Sequence, residues 1–176
     1  MVKSKKLILL LTFIVAASFI LFSFFKSAPK HDIAVGLYAP ELDIKDEITG
    51  RKLTSGDLKN KVVFVNFWAS WCQPCREEMP SIESLLRDMG GNDRFQMVTI
   101  LYKEPYQDGT DYMKQNGYTF PVYSDNKGIT ARNFGVTGVP ETYVIDKKGI
   151  LKKRVLGPAE WNSQEAKNFI NSLLNE

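Results

Sequence analysis

Two adjacent segments of the chain carry the clearest hydrophobic patterns. Residues Val62 to Trp68 are almost all apolar and mostly β-branched or aromatic, which predicts a fully buried strand. The segment that follows places apolar side chains three and four residues apart, which predicts an amphipathic helix. The apolar stripe of this helix is formed by Met79, Ile82, Leu85, Leu86 and Met89.

The rest of the chain shows an alternation of strand-like and helix-like segments. Strands are predicted near Glu41–Asp46 and at Phe95–Tyr102, Thr142–Asp146 and Ile150–Leu156, the last two forming a hairpin. Helical segments are predicted at Gly56–Leu58, Gly109–Asn116 and Ile129–Phe134, with a last helix from a cap at Asn162 to about Leu174. This order of elements indicates an α/β sheet that is covered on both faces.

The N-terminal segment is apolar without a break. Residues 7–25 contain no charged residue, and as a helix they would span roughly 28 Å, about the hydrocarbon thickness of a bilayer. Lys3, Lys5 and Lys6 precede this segment, so the positive-inside rule keeps the N-terminus cytoplasmic and sends the rest outward. A cleavable signal peptide is the alternative, but its apolar core is usually only about 7–15 residues long. The sequence therefore predicts a single transmembrane anchor in the lipid bilayer.

This prediction divides the chain into a cytoplasmic N-terminus at 1–6, the anchor at 7–25, a linker at 26–35 and one domain at 36–176. The division changes how the charge is interpreted. Five of the 23 basic residues and none of the 20 acidic residues precede His31, so the remainder carries a formal charge of −2. The basic balance of the whole chain therefore indicates no nucleic-acid partner.

Both cysteines of the chain lie where the predicted strand is followed by the predicted helix, in the run Trp71-Cys72-Gln73-Pro74-Cys75. Unpaired amide N–H groups and the helix dipole at a helix N-terminus favour a thiolate over a thiol. Because the thiolate is the species that attacks disulfides, this position predicts a redox-active dithiol.

Other roles for the cysteine pair are less consistent with the sequence. A structural zinc site usually has four Cys or His ligands, and the chain contains two cysteines and one histidine, His31, in the linker. A structural disulfide suits an extracytoplasmic domain, but closing so short a loop constrains the unfolded chain little. Copper binding by the thiolates, alone or with a histidine, stays open. The dithiol interpretation itself requires no metal and no other cofactor.

The helix after the cysteines carries one glutamate on its apolar stripe. Glu78 lies four residues before Ile82 and seven before Leu85, whereas Glu77 aligns with the polar face. Burial one turn from the thiols would raise the pKa of the Glu78 carboxyl toward the range that is useful for moving protons in thiol exchange. The alternative is a first-turn glutamate that the helix dipole stabilises and that faces solvent.

The segment from Asn66 to Pro80 resembles the active-site region of the membrane-anchored, thioredoxin-like thiol:disulfide oxidoreductases of bacteria, which include the TlpA, ResA and CcmG/DsbE proteins. Gly36 with Ala39-Pro40, together with residues 57–61, resembles the first strands of that group, and residues 138–142 resemble its second active-site segment. The resemblance implies a thioredoxin fold, in which a central mixed sheet is flanked by helices. It also implies an N-terminal extension and a central strand-helix insertion at about Lys103–Pro121.

The same resemblance implies roles for single residues. It implies that Cys72 is the nucleophile, that Cys75 is the resolving thiol which pairs with it in the redox disulfide, and that Glu78 is the acid/base beside them. Cytosolic thioredoxins carry a buried carboxylate on the strand before the active site, where this chain has the neutral Asn66. Proton transfer would therefore depend more on Glu78.

A substrate-binding surface is implied by the resemblance as well. It comprises Trp71, Pro74, Val139 and Pro140, with a cis peptide bond before Pro140. The backbone of Val139 would be offered to the substrate.

For function, the resemblance implies reduction of protein disulfides on the extracytoplasmic side of the bacterial cell membrane. Substrates in this group include the haem-attachment cysteines of apocytochrome c and the copper-site cysteines of respiratory oxidases. The electrons would come from a membrane donor of the CcdA or DsbD type. A dithiol oxidase or isomerase, and a metal-binding module without redox turnover, are the alternative functions.

Overall fold

The computed structural model describes residues 14, 17–19, 33–125 and 127–176. Residues 14 and 17–19 are helical. The rest of the predicted anchor at 7–25 lies outside the described residues, as do 1–6 and most of the linker. Among the residues that are described, no helix has both the length and the apolar character needed to cross a bilayer. The chain divides into two compact units, 1–32 and 33–176, and the second contains both cysteines.

One mixed sheet of seven strands forms the centre of the second unit. The strands are β1 (Asp43–Lys45), β2 (Lys52–Thr54), β3 (Val62–Trp68), β4 (Phe95–Leu101), β5 (Val122–Ser124), β6 (Glu141–Ile145) and β7 (Leu151–Leu156). Their order across the sheet is β2-β1-β5-β4-β3-β6-β7. β3 pairs in parallel with β4 and antiparallel with β6. The C-terminus of β3, which leads to the cysteines, therefore lies beside the start of β6.

Helices cover both faces of this sheet, as the sequence predicts. They are α1 (Gln73–Met89), α2 (Tyr106–Asn116), α3 (Ile129–Asn133) and α4 (Gln164–Asn175), with a 3₁₀ turn at Ser55–Leu58. Because side chains alternate along a strand, Phe64 of β3 joins the core formed with α1, α2 and α4, whereas Val65 joins the core formed with β1, β2 and α3. All seven side chains of β3 are buried between the two cores.

The hydrophobic pattern predicts β3 with the bounds that the structure shows, and it predicts the other long elements to within a few residues. It misses β2 and β5, because strands of three residues are too short for a periodic signal. The predicted cap of α4 is wrong by one residue. Ser163 rather than Asn162 is the N-cap, and its hydroxyl accepts from the Ala166 N–H.

The segment Lys103–Pro121 contains α2 but no strand, because β5 begins just after it, at Val122. α2 begins at Tyr106, three residues before the predicted start at Gly109. A Cβ atom at Gly109 would lie 2.5 Å from the Leu101 side chain, so the glycine allows α2 to pack closely on β4.

Candidate redox active site

Cys72 and Cys75 form a disulfide at the N-terminus of α1, with their sulfur atoms 2.08 Å apart. Cys72 is the N-cap residue, and the Cys75 N–H donates to Cys72 Sγ at 3.2 Å. Pro74 lies in the first turn, where a missing N–H removes no helical hydrogen bond. The helix dipole would thus stabilise a thiolate at Cys72 once the disulfide is reduced.

The two cysteines differ in their exposure to solvent. Cys72 keeps an exposed fraction of 5%, whereas Cys75 is fully buried. An incoming disulfide therefore meets Cys72 first, and this asymmetry suits the roles of nucleophile and resolving thiol.

A cis peptide bond joins Val139 to Pro140, immediately before β6 begins. Because β6 lies antiparallel to β3, this bond is brought to the end of the sheet that carries the cysteines. The carbonyl oxygen of Val139 lies 3.5 Å from Cys72 Sγ, although the two residues are 67 positions apart in sequence. The structure therefore brings the two predicted active-site segments together.

The four residues predicted to bind substrate are not equally accessible. Trp71 is 60% exposed, and Pro74 is also exposed. Val139 is half-buried and Pro140 is buried. Trp71, Pro74 and Val139 therefore present apolar surface around Cys72, whereas the Pro140 side chain faces inward.

Leu156, which is not among the residues predicted to bind substrate, is an exposed apolar residue on the strand that pairs with β6. It is 69% exposed at the end of β7 and lies opposite Glu141, the residue after Pro140. The N–H of the next residue, Gly157, donates to the Pro140 carbonyl oxygen at 2.9 Å. No sequence pattern marks Leu156, because its importance arises only from this strand pairing.

Glu78 is buried as predicted, with 2% of its surface exposed, whereas Glu77 is exposed. Its Oε1 atom accepts from Asn66 Nδ2 at 2.8 Å. Its Oε2 atom accepts from the Ala159 N–H at 3.1 Å and from Trp161 Nε1 at 3.3 Å. Burial raises the pKa of Glu78 to about 7, although these hydrogen bonds act in the opposite direction.

The position of Glu78 suits proton exchange with the thiols. It follows Cys75 by three residues, so the two side chains lie on the same side of α1. A carboxyl whose pKa is about 7 gives up and takes up protons readily at neutral pH. The site therefore combines a cysteine pair at a helix N-terminus with a buried carboxyl one turn away.

The hydrogen-bond partners of Glu78 that are distant in sequence are not foreseen from the hydrophobic pattern. Ala159 and Trp161 are 81 and 83 residues away from it along the chain. Trp161 is 2% exposed, and its ring packs edge to face against Phe64 at a centroid distance of 4.8 Å. The one local signal is an aromatic residue two positions before the cap of α4.

Glu104, also absent from the predicted site, contacts the loop that carries the cysteines. The Ser70 N–H donates to Glu104 Oε2 at 2.9 Å, and the Ser70 hydroxyl donates to Oε1. Glu104 lies in the loop between β4 and α2. It thus ties two loops together at the end of the sheet that carries the active site.

The surroundings of the cysteines bear on the metal-binding alternative. In the part of the chain that the structure describes, no three His, Cys, Asp or Glu side chains are grouped so as to hold a metal ion. His31, which the copper alternative invokes, lies outside that part.

Comparisons with known proteins agree with this geometry. The model of the AhpC/TSA family matches residues 35–154, which include both cysteines and the cis-proline segment. The thioredoxin-like protein YneN of Bacillus subtilis is 33% identical over 138 residues, which cover 77% of this chain and 79% of YneN. The thiol-disulfide oxidoreductase ResA of Geobacillus thermodenitrificans is 33% identical over 128 residues, which cover 73% of this chain and 72% of ResA.

A solved structure shows the same fold. The crystal structure of a protein described as a thiol:disulfide interchange protein DsbE, from Chlorobium tepidum, has a TM-score of 0.71 and 28% identity. The match covers 81% of this chain and 99% of that chain. The chain therefore belongs to the AhpC/TSA family and is a thioredoxin-like thiol-disulfide oxidoreductase of the ResA and DsbE type, with Cys72 and Cys75 as its redox pair.

Proposed function

We propose that the protein reduces protein disulfides outside the cytoplasm, anchored in the bacterial cell membrane by residues 7–25. The observation that carries the direction of the reaction is the buried Glu78 carboxyl, three residues after Cys75, whose pKa burial raises to about 7. When it is ionised, its negative charge disfavours a thiolate nearby. Strong oxidants work in the opposite way, because they stabilise their reduced thiolate form. A destabilised reduced form makes the couple a better electron donor.

The first step is attack by the Cys72 thiolate on one sulfur of the substrate disulfide. A bond forms between Cys72 Sγ and that sulfur, the substrate S–S bond breaks, and the second substrate sulfur leaves as a thiolate that takes up a proton. The peptide group of Val139, whose carbonyl oxygen is 3.5 Å from Cys72 Sγ, lies where it can align the substrate backbone.

The second step resolves the mixed disulfide. Cys75 loses its proton to the Glu78 carboxylate, and the resulting thiolate attacks Cys72 Sγ. The bond between Cys72 and the substrate breaks, the substrate leaves as its second thiolate, and the protonated Glu78 is the nearby source of the proton that it needs. Two electrons and the Cys75 proton have then moved from the dithiol to the substrate, the second proton that the substrate gains comes from solvent, and the Cys72–Cys75 disulfide remains.

The proposed substrates are the haem-attachment cysteines of apocytochrome c, and the proposed electron donor is a membrane protein of the CcdA or DsbD type. The resemblance of residues 66–80 and 138–142 to the ResA and DsbE group supports this assignment. The exposed apolar side chain of Trp71, next to Cys72 in sequence, is suited to binding an extended peptide, and Leu156 is a second exposed apolar residue on the strand paired with β6.

The decisive experiment measures the midpoint potential of the dithiol in the full-length protein in detergent, by equilibration with glutathione or dithiothreitol and thiol labelling. A value near that of thioredoxin, about −270 mV, or slightly higher is expected for a reductase. A value near about −120 mV would show an oxidant and overturn the proposal.

Two further measurements test the substrate and the location. Oxidised peptides with a CxxCH segment should be reduced faster than oxidised peptides that carry copper-site cysteines, and the reverse order would contradict the apocytochrome assignment.

Alkaline phosphatase fused after residue 176 should be active in cells, because it folds only outside the cytoplasm.

A further inference from the structure

We propose that Tyr143, Glu141 and Arg154 form a clamp that holds the loop carrying Val139 in place for a protein substrate. The clamp sets the apparent affinity for protein disulfides rather than the redox potential of the dithiol. This inference rests on the proposed function, because it requires that a substrate chain align along Val139.

Glu141 supplies the first part of the clamp. It directly follows Pro140 and is 2% exposed. Arg154 of β7 donates to Glu141 Oε1 from Nε at 2.7 Å, and its Nη2 atom lies 2.7 Å from the same oxygen. A buried carboxylate is stable only when it is paired in this way, so the end of the loop is held firmly to β7.

Tyr143 supplies the second part. Its side chain is completely buried, and its hydroxyl oxygen lies 2.5 Å from both Glu141 Oε1 and the carbonyl oxygen of Phe134. Burial, together with the Glu141 carboxylate, raises the pKa of Tyr143, so the hydroxyl keeps its proton. Both atoms are acceptors, so the one hydroxyl proton is shared between the Glu141 carboxylate and the Phe134 carbonyl and links the two.

These contacts join both ends of one loop. Phe134 is the C-cap residue of α3 and Glu141 begins β6, and residues 135–140 between them include Val139. The loop contains Gly135, which has a φ of +60°, and the exposed Gly138. Glycines loosen a loop, so its shape depends on how its two ends are held.

The described contacts of the clamp join β6, β7 and the end of α3. Their effect on catalysis therefore passes through the position of the Val139 carbonyl, 3.5 Å from Cys72 Sγ. A small displacement of that carbonyl would misalign a long substrate chain. A small disulfide, which needs no backbone alignment, would be affected little.

The test uses Tyr143→Phe in the full-length protein, because this change removes the hydroxyl and keeps the ring that packs against Phe67 and Phe134. The KM for insulin, with dithiothreitol as electron donor, should rise about fivefold, the effect of losing one buried hydrogen bond. The kcat should stay within about twofold. The rate with Ellman's reagent and the midpoint potential should not change.

Tyr38→Phe is the matched control, since Tyr38 is 78% exposed and lies outside the clamp.

Arg154→Lys is the second variant, because Arg154 is 31% exposed and a lysine keeps the charge while losing the planar group that contacts Glu141. Like Tyr143→Phe, it should raise the KM for insulin. In the double variant with Tyr143→Phe, the two effects should be less than additive if they act through one clamp.

The clamp proposal is contradicted if Tyr143→Phe and Arg154→Lys both keep the wild-type KM for insulin. It is also contradicted if the activities toward insulin and toward Ellman's reagent fall equally, as expected for a general structural defect. If the wild-type protein does not reduce insulin, the oxidised CxxCH peptide takes its place in the same assays. A wild-type protein that reduces neither substrate would instead overturn the proposed function, and the clamp with it. The wild-type assay thus separates the two failures.

Discussion

Asn66 donates a buried hydrogen bond of 2.8 Å from its Nδ2 atom to Glu78 Oε1, and the same amide donates to Thr142 Oγ1 at 2.9 Å. A neutral amide stabilises the Glu78 carboxylate without adding a second charge beside it. A carboxyl at position 66 would have to share a proton with Glu78. The protonation of the site therefore depends on one buried carboxyl whose pKa is near 7.

Glu78→Gln removes this titrating group and keeps its shape. The rate of thiol exchange in the wild-type protein should change with pH around pH 7, because the pKa of Glu78 is about 7. The variant should lose this inflection. Stopped-flow reduction of insulin between pH 5 and pH 9 measures both profiles, with Glu77→Gln, an exposed change one residue away, as the control. Identical profiles for the wild type and Glu78→Gln would show that Glu78 takes no part in proton transfer.

The same variant should change how stability depends on pH. The pKa of Glu78 rises from its ordinary value of 4.5 to about 7 on folding, so the folded state holds the proton more tightly. Stability from this group is therefore fully present below pH 4.5 and is lost as the pH rises through 7. The loss is on the order of 3 kcal/mol, and Glu78→Gln should abolish it. Urea unfolding at pH 4.5 and pH 8 tests this, and an equal pH dependence in both proteins would contradict it.

Asn66→Asp should destabilise the domain most at high pH. Two carboxyls within hydrogen-bonding distance cannot both ionise without strong repulsion, so we expect a loss of about 3 kcal/mol at pH 8 and a smaller loss at pH 5. Chemical unfolding at the two pH values measures the difference. Asn171→Asp, at an exposed position of α4, is the control and should show no such pH dependence. A loss that is independent of pH would mean that the new carboxyl does not couple to Glu78.

Cys72→Ser should abolish turnover, because the accessible nucleophile is lost. Cys75→Ser should still attack substrates but not resolve the product, so mixed disulfides should accumulate. Non-reducing gels and mass spectrometry of the reaction with oxidised insulin distinguish the two outcomes. Turnover that persists in Cys72→Ser would disprove the assignment of the nucleophile.

Glu83→Ala should weaken the fold without changing the redox chemistry. Glu83 is buried on α1, and its carboxylate accepts from the Thr119 N–H at 2.8 Å and from the Thr119 hydroxyl at 2.7 Å. Removing it leaves both donors without this partner, which should reduce the free energy of unfolding by about 1–3 kcal/mol. The midpoint potential should not change. Glu77→Ala, at an exposed site on the same helix, should cost less than about 0.5 kcal/mol.

Local pattern alone identified the part of the site that lies on neighbouring elements. The apolar run of β3 and the stripe of α1 place Cys72 at a helix N-terminus and turn Glu78 inward. These features follow from the periods of strand and helix, which the backbone imposes within a few residues. The roles of Val139 and Pro140 did not come from such a pattern and depended on the resemblance to known oxidoreductases.

The tertiary structure decided which distant groups meet at this helix. The order of strands places β6 beside β3, which brings the Val139 carbonyl to Cys72. It also brings the Trp161 indole to Glu78 and the Tyr143 hydroxyl to the Phe134 carbonyl. No local period encodes these contacts, because strand order is selected by the total burial of both faces of the sheet. The cysteine pair and its helix could therefore be predicted from the chain, whereas the distant groups that contact Cys72 and Glu78 could not.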